Sequence, residues 1–124
     1  PSLFRKKANR DLRLLRLDYL AYPDDPAVFF HTGMTYIRIG DFSAALENFL
    51  QSLKRVRENF EWVRKLYSYL YQCLRRLGQL EQALAVTAEG LGRFPDDPDL
   101  LVLGQVENIR VVSPAGFLRL TLSV

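Results

Sequence analysis

The feature that most constrains this chain is that it repeats itself. Tyr22-Pro23-Asp24-Asp25-Pro26 returns as Phe94-Pro95-Asp96-Asp97-Pro98, 72 residues later. Inside that span, Ile39-Gly40-Asp41-Phe42-Ser43-Ala44-Ala45-Leu46 returns as Leu77-Gly78-Gln79-Leu80-Glu81-Gln82-Ala83-Leu84 at an offset of 38. The same offset pairs Phe29 with Tyr67, Tyr36 with Leu74, Arg38 with Arg76 and Leu53 with Leu91. Two copies in this span make a unit of about 36 residues. A unit that short cannot bury a core alone, so neighbouring units must stack and share one.

Each part of the unit has a physical purpose. Asp25 and Asp97 stand where a helix N-cap belongs, each followed by Pro at the first helical position. The carboxylate accepts from backbone N–H groups that have no partner inside the helix, and proline there has no N–H to leave unpaired. A first helix then carries Phe29, Gly33, Tyr36 and Ile37 at helical spacing and stops at Gly40, a residue tolerant of positive φ. Phe42, Ala45, Leu46, Phe49 and Leu53 lay one apolar stripe along a second helix. A third carries Trp62, Leu66, Tyr67, Leu70 and Leu74 and ends at Gly78. A fourth carries Leu80, Ala83, Leu84, Thr87, Leu91 and Phe94, and Pro95 breaks it. Two-residue turns make consecutive helices antiparallel, with Gly33 and Ala45 as the small positions of the first pair. Tyr71, at the place of Gly33 in the second copy, predicts wider spacing there.

Both ends continue the pattern by halves. Residues 8–22 place Ala8, Leu12, Leu15 and Tyr19 on one helical face, as the second half of an incomplete repeat. Residues 98–110, with Leu101, Val102 and Val106, are the first half of another. The expected organisation is therefore an all-α domain over residues 1–110. It comprises half repeat 8–22, full repeats 26–59 and 60–95, and half repeat 98–110, about six helices. Residues 111–124 differ: Ser113-Pro114-Ala115-Gly116 reads as a turn, and Phe117 to Leu122 alternates partly at period two. A cap, a strand or a cut end all fit that segment. The chain starts without Met and is expected to be part of something longer.

These residues resemble a known family. Phe29, Gly33, Tyr36, Gly40 and Ala45, with Phe42 and Phe49, are similar to the tetratricopeptide signature, and the second copy offers Tyr67, Gly78, Ala83 and Pro95. The resemblance implies helix-turn-helix pairs stacked in a right-handed superhelix, with the first helix of each pair lining a concave groove for a partner protein or peptide. The groove positions it implies are Phe30, His31, Met34, Ile37 and Arg38 in the first copy, and Lys65, Tyr69, Gln72, Arg75 and Arg76 in the second. That mixture of apolar and basic side chains implies an apolar ligand segment carrying acidic groups. Phe30 and Met34 replace the Lys and Asn of chaperone-binding members, so chaperone tails are not implied. For Phe30, Met34 and Ile37, core packing against residues 8–22 is the alternative. Against the 34 residues usual in that family, this unit is about one helical turn longer between Leu53 and Tyr67. An extended helix with a break near Asn59 is expected.

A narrower resemblance is carried by Arg10-Asp11-Leu12-Arg13-Leu14-Leu15, Pro23-Asp24-Asp25-Pro26, Thr32-Gly33-Met34-Thr35-Tyr36, Arg64-Lys65-Leu66-Tyr67 and Glu89-Gly90-Leu91, in that order, with Phe94-Pro95-Asp96-Asp97. It covers roughly residues 8–106. It is similar to the tetratricopeptide segment behind the catalytic domain of some bacterial family 2 glycosyltransferases, and it implies a non-catalytic accessory region of such an enzyme.

Little in the chain points to chemistry. His31 is the only histidine, and Met34 and Thr35 occupy the places where a second metal ligand would stand. The acidic clusters Asp24-Asp25 and Asp96-Asp97-Asp99 are explained by capping at equivalent repeat positions. Gly90 and Gly92 do not follow a strand, as a phosphate loop requires. The expectation is no catalytic residue, no metal and no cofactor. A lone Cys73 forms no internal disulfide and fits a reducing, cytoplasmic setting. No run of about 18 apolar residues exists, so no membrane partner is expected. A homo-oligomer is compatible with the pattern. The net charge of +3 is concentrated in Arg5, Lys6, Lys7, Arg10, Arg13 and Arg16, opposed locally by Asp11 and Asp18. That basic helix leaves RNA binding as the alternative function, though helical repeats that read RNA use paired side chains at fixed repeat positions and only Arg38 and Arg76 recur as a basic pair.

Overall fold

A computed structural model of the protein describes residues 2–111, so the turn and alternating stretch expected after residue 111 lie outside the described residues. The described residues are all-α: α1 Ser2–Ala21, α2 Pro26–Arg38, α3 Phe42–Arg55, α4 Glu61–Arg76, α5 Leu80–Arg93 and α6 Pro98–Val111. Each helix packs on its neighbour in sequence, and α4 also reaches α6, the contact pattern of a linear helical stack.

Local chemistry sets the helix ends. Gly40 and Gly78 have φ of 80° and 78°, a left-handed conformation that glycine adopts without a Cβ penalty. Around them the same bonds form twice. The Gly40 and Asp41 amides donate to the carbonyls of Ile37 (3.0 Å) and Tyr36 (3.0 Å), and those of Gly78 and Gln79 to Arg75 (3.1 Å) and Leu74 (2.8 Å). At the N-termini, Asp25 accepts from the Ala27 amide at 2.9 Å, Asp41 from Ala44 at 3.0 Å and Asp97 from Leu100 at 3.0 Å. Both Pro-Asp turns are clamped by arginine. The Arg55 guanidinium lies 4.6 Å from the Phe29 ring centre and 3.8 Å from Asp24, while that of Arg64 lies 4.6 Å from the Phe94 ring and 3.2 Å from Asp97.

Phe30, Ala45, Phe49, Val63, Leu66, Tyr67, Leu70, Cys73 and Leu100 form one continuous core through α2–α6. α2 and α3 approach most extensively and α4 and α5 next. Gly33 makes the first approach possible: a Cβ there would lie 2.6 Å from the Phe49 ring. The second copy inverts the sizes. At the offset of 38, Gly33 and Phe49 become Tyr71 and Thr87, both buried, and the Tyr71 ring clusters with Leu74 and Ala83. Gly90 is the tight position of α5, where a Cβ would come within 2.9 Å of Tyr67 and 3.0 Å of Leu100.

Most of the additional turn of the unit lengthens a helix, as expected: α4 has 16 residues where its counterpart α2 has 13, and the break, residues 56–60 between Arg55 and Glu61, includes Asn59. Val56 turns to an extended backbone (φ −65°, ψ 126°) and is only 3% exposed. Burying this β-branched side chain in the shared core outweighs one more solvent-facing helical turn. At the other end, α1 begins well before residue 8. Ala8 is buried against the stack, whereas Leu14, Leu17 and Leu20 are 54%, 62% and 65% exposed.

Candidate partner-binding groove

The face of α1 that packs on α2 carries Ala8, Leu12 and Leu15. One flank of that seam is open. There α1, α2 and α4 enclose a cleft of about 540 Å³, lined by Asp11, Leu14, Leu15 and Asp18 from α1, His31, Met34, Thr35, Ile37 and Arg38 from α2, and Tyr69 from α4. The Arg38 guanidinium donates to Asp11 Oδ2 at 3.2 Å and to Thr35 Oγ1 at 3.0 Å, and Thr35 donates onward to the His31 carbonyl at 3.1 Å. An ion pair this open to solvent contributes at most about 1 kcal/mol, and it joins α1 to α2.

The aromatic wall is held from behind. The buried Phe30 ring lies 4.9 Å from Trp62, 5.6 Å from His31 and 6.0 Å from Tyr69, measured between ring centres. Tyr69 stacks on Phe49 at 5.4 Å with the planes 5° apart, and Phe60 stacks on Trp62 at 6.1 Å. Tyr69 is therefore set in one orientation by core rings before anything binds, which lowers the entropy cost of using it as a contact.

The structure brings together His31, Met34, Ile37, Arg38 and Tyr69 of the expected groove. It does not bring the others. Phe30 is 4% exposed and belongs to the core, where its ring packs among Trp62, Phe49 and Tyr69. Lys65 is exposed and does not line the cleft. Gln72, Arg75 and Arg76 line a separate shallow depression with Tyr71, and the Arg76 guanidinium lies 5.2 Å from the Phe42 ring centre. The expected basic border thus shrinks to Arg38, which Asp11 already engages. Sequence reasoning missed Asp11, Leu14 and Asp18. Their signal was present as a second face of α1, since positions 11, 14, 15 and 18 are helical neighbours.

Among the described residues, no group of three or more His, Cys, Asp or Glu stands together as a metal site, and no helix is long and apolar enough to cross a membrane. Burial pushes the Cys73 thiol up to about 11, so it stays protonated and inert near neutral pH. Burial, then the Glu89 carboxylate, push the Tyr67 hydroxyl up to about 12, and that hydroxyl donates to Glu89 Oε2 at 3.1 Å. Both groups sit inside the stack, away from the cleft. Comparison of the chain with protein-family models gives no match, and comparison with curated proteins gives none.

Proposed function

We propose that this chain is a non-catalytic scaffold of the tetratricopeptide type that holds a segment of a partner protein in the cleft between α1, α2 and α4. The observation that carries this is the cleft itself, apolar at Leu14, Met34, Ile37 and Tyr69, with its ring wall fixed by the core. One aliphatic or aromatic anchor fully buried there is worth roughly 1.5–3 kcal/mol, enough with backbone and rim contacts for a micromolar complex. The test is peptide display selection on the protein followed by variants at two exposed cleft positions, Leu14→Glu and His31→Ala. Both are expected to keep the parent's melting temperature and to weaken selected peptides at least tenfold. Binders indifferent to both substitutions would refute the cleft as the binding site. The accessory role beside a bacterial glycosyltransferase domain rests on the sequence resemblance. A catalytic domain of that family encoded upstream of Pro1 in the parent reading frame supports it, and a frame lacking one removes it.

A second reading is favoured by one observation. Lys6, Lys7, Arg10 and Arg13 border a single shallow depression on α1, a surface suited to a phosphate backbone. Single-stranded RNA binding that falls steeply with salt and is abolished by Arg10→Glu supports it; affinity unchanged by that substitution removes it.

A further inference from the structure

We infer that the segment held in the cleft carries a basic side chain, arginine or lysine, next to its apolar anchor, and that Asp18 receives it. This rests on the groove reading above and fixes its charge preference.

The basis is how α1 distributes its charges. The helix carries Arg5, Lys6, Lys7, Arg10, Arg13 and Arg16 but only two carboxylates, Asp11 and Asp18. Both carboxylates line the cleft, and none of the six cations does. Arg13 and Arg16 line the depression on the opposite flank of α1, and Lys6, Lys7 and Arg10 its outer face. From α2 and α4 the cleft receives one cation, Arg38, and Asp11 neutralises it at 3.2 Å. Asp18 has no side-chain partner among the described residues, so the cleft keeps one uncompensated carboxylate. A helix that is strongly basic overall therefore presents a net acidic surface here.

The neighbours of Asp18 fit a long cationic side chain better than a small cation. Leu14 and Met34, which line the same cleft, offer apolar surface to an aliphatic stem. An acidic ligand residue in the same place would meet Asp18 and find Arg38 already engaged. This reverses the preference drawn from the basic residues of α4, because Lys65, Arg75 and Arg76 stand outside the cleft.

The test uses the 124-residue chain and an unbiased peptide display library. The tightest selected peptide is measured by calorimetry against the parent and Asp18→Asn, together with a copy in which its basic residue is replaced by methionine. Asp18 is exposed, so the substitution leaves the fold intact. Asp18→Asn is expected to weaken the selected peptide about two- to fivefold at low ionic strength, less at high salt, and to leave the methionine copy unchanged. Peptides that depend on Leu14 but carry acidic or neutral flanks, or that ignore Asp18→Asn, overturn this inference while the groove reading stands. A selection yielding no Leu14-dependent binder overturns both.

Discussion

Gly33→Ala isolates the contact on which the first helical pair depends. In an exposed helix the change stabilises by about 0.8–1 kcal/mol, because alanine loses less backbone entropy than glycine. At Gly33 the new Cβ would lie 2.6, 2.8 and 2.9 Å from three atoms of the Phe49 ring. All three belong to one edge of the ring. The ring is not free to slide away, being fully buried, stacked on Tyr69 at 5.4 Å and 6.0 Å from Phe30. The contact must therefore be relieved by displacing the helices or the ring, a strain of roughly 1–3 kcal/mol, so that the gain expected of an exposed helix is cancelled or turned into a net loss of up to about 2 kcal/mol. Gly92 is the control, since nothing lies within 4 Å of a Cβ there. Gly92→Ala should gain about 0.5–1 kcal/mol. Urea unfolding of both variants, and of Gly33→Ala combined with Phe49→Leu, reads the effect. The double variant should be more stable than the sum of its single changes by about 1 kcal/mol or more. If Gly33→Ala gains stability as Gly92→Ala does, the close approach of α2 and α3 at this point is wrong.

The two capping aspartates should respond unequally despite equivalent repeat positions. Asp97 is 6% exposed and also pairs with Arg64, so Asp97→Ala should cost about 2–3 kcal/mol in urea unfolding, against about 1 kcal/mol for the exposed cap Asp25→Ala. Alkaline pH should weaken the fold. The Tyr67 hydroxyl moves from its ordinary value of 10.0 to about 12, so the native state keeps a proton that the unfolded chain releases. Stability is then fully present below pH 10 and falls by about 2–3 kcal/mol as pH rises to about 12. Tyr67→Phe should remove that part of the slope in denaturant titrations at pH 9–12. Cys73, moved from 9.0 to about 11, adds a loss of the same sign from pH 9 upward, which Cys73→Ala should remove.

The repeat was legible because its punctuation is local. Asp25, Gly40, Gly78 and Asp97 act within four residues of themselves, and short strings can encode such effects. The unit's extra residues made the lengthened helix and the break around Asn59 legible, but not the burial of Val56 in the shared core, a tertiary fact. The exchange of Gly33 and Phe49 for Tyr71 and Thr87 is visible as two departures from the unit. The packing shows that both replacements are buried. Of the groove positions implied by the family resemblance, His31, Met34, Ile37, Arg38 and Tyr69 share one cleft, whereas Phe30 does not, because its ring packs among Trp62, Phe49 and Tyr69 in the core. The charges of α1 were legible in sign but not in direction. Counting them gives a basic helix; orienting them gives an acidic cleft.

Because α1 packs on α2, the wall it contributes to the cleft depends on that seam. The Arg38–Asp11 pair is a polar tie across it. A ligand that touches both α1 and α2 binds only molecules in which α1 is docked, so its apparent affinity is the intrinsic one reduced by the docked fraction. Anything that competes for α1, whether a partner on its exposed leucines or an anion on its outer cations, would then tune the cleft without entering it. Amide exchange in α1, slowed by a cleft ligand and hastened by Arg38→Ala, would report that coupling directly.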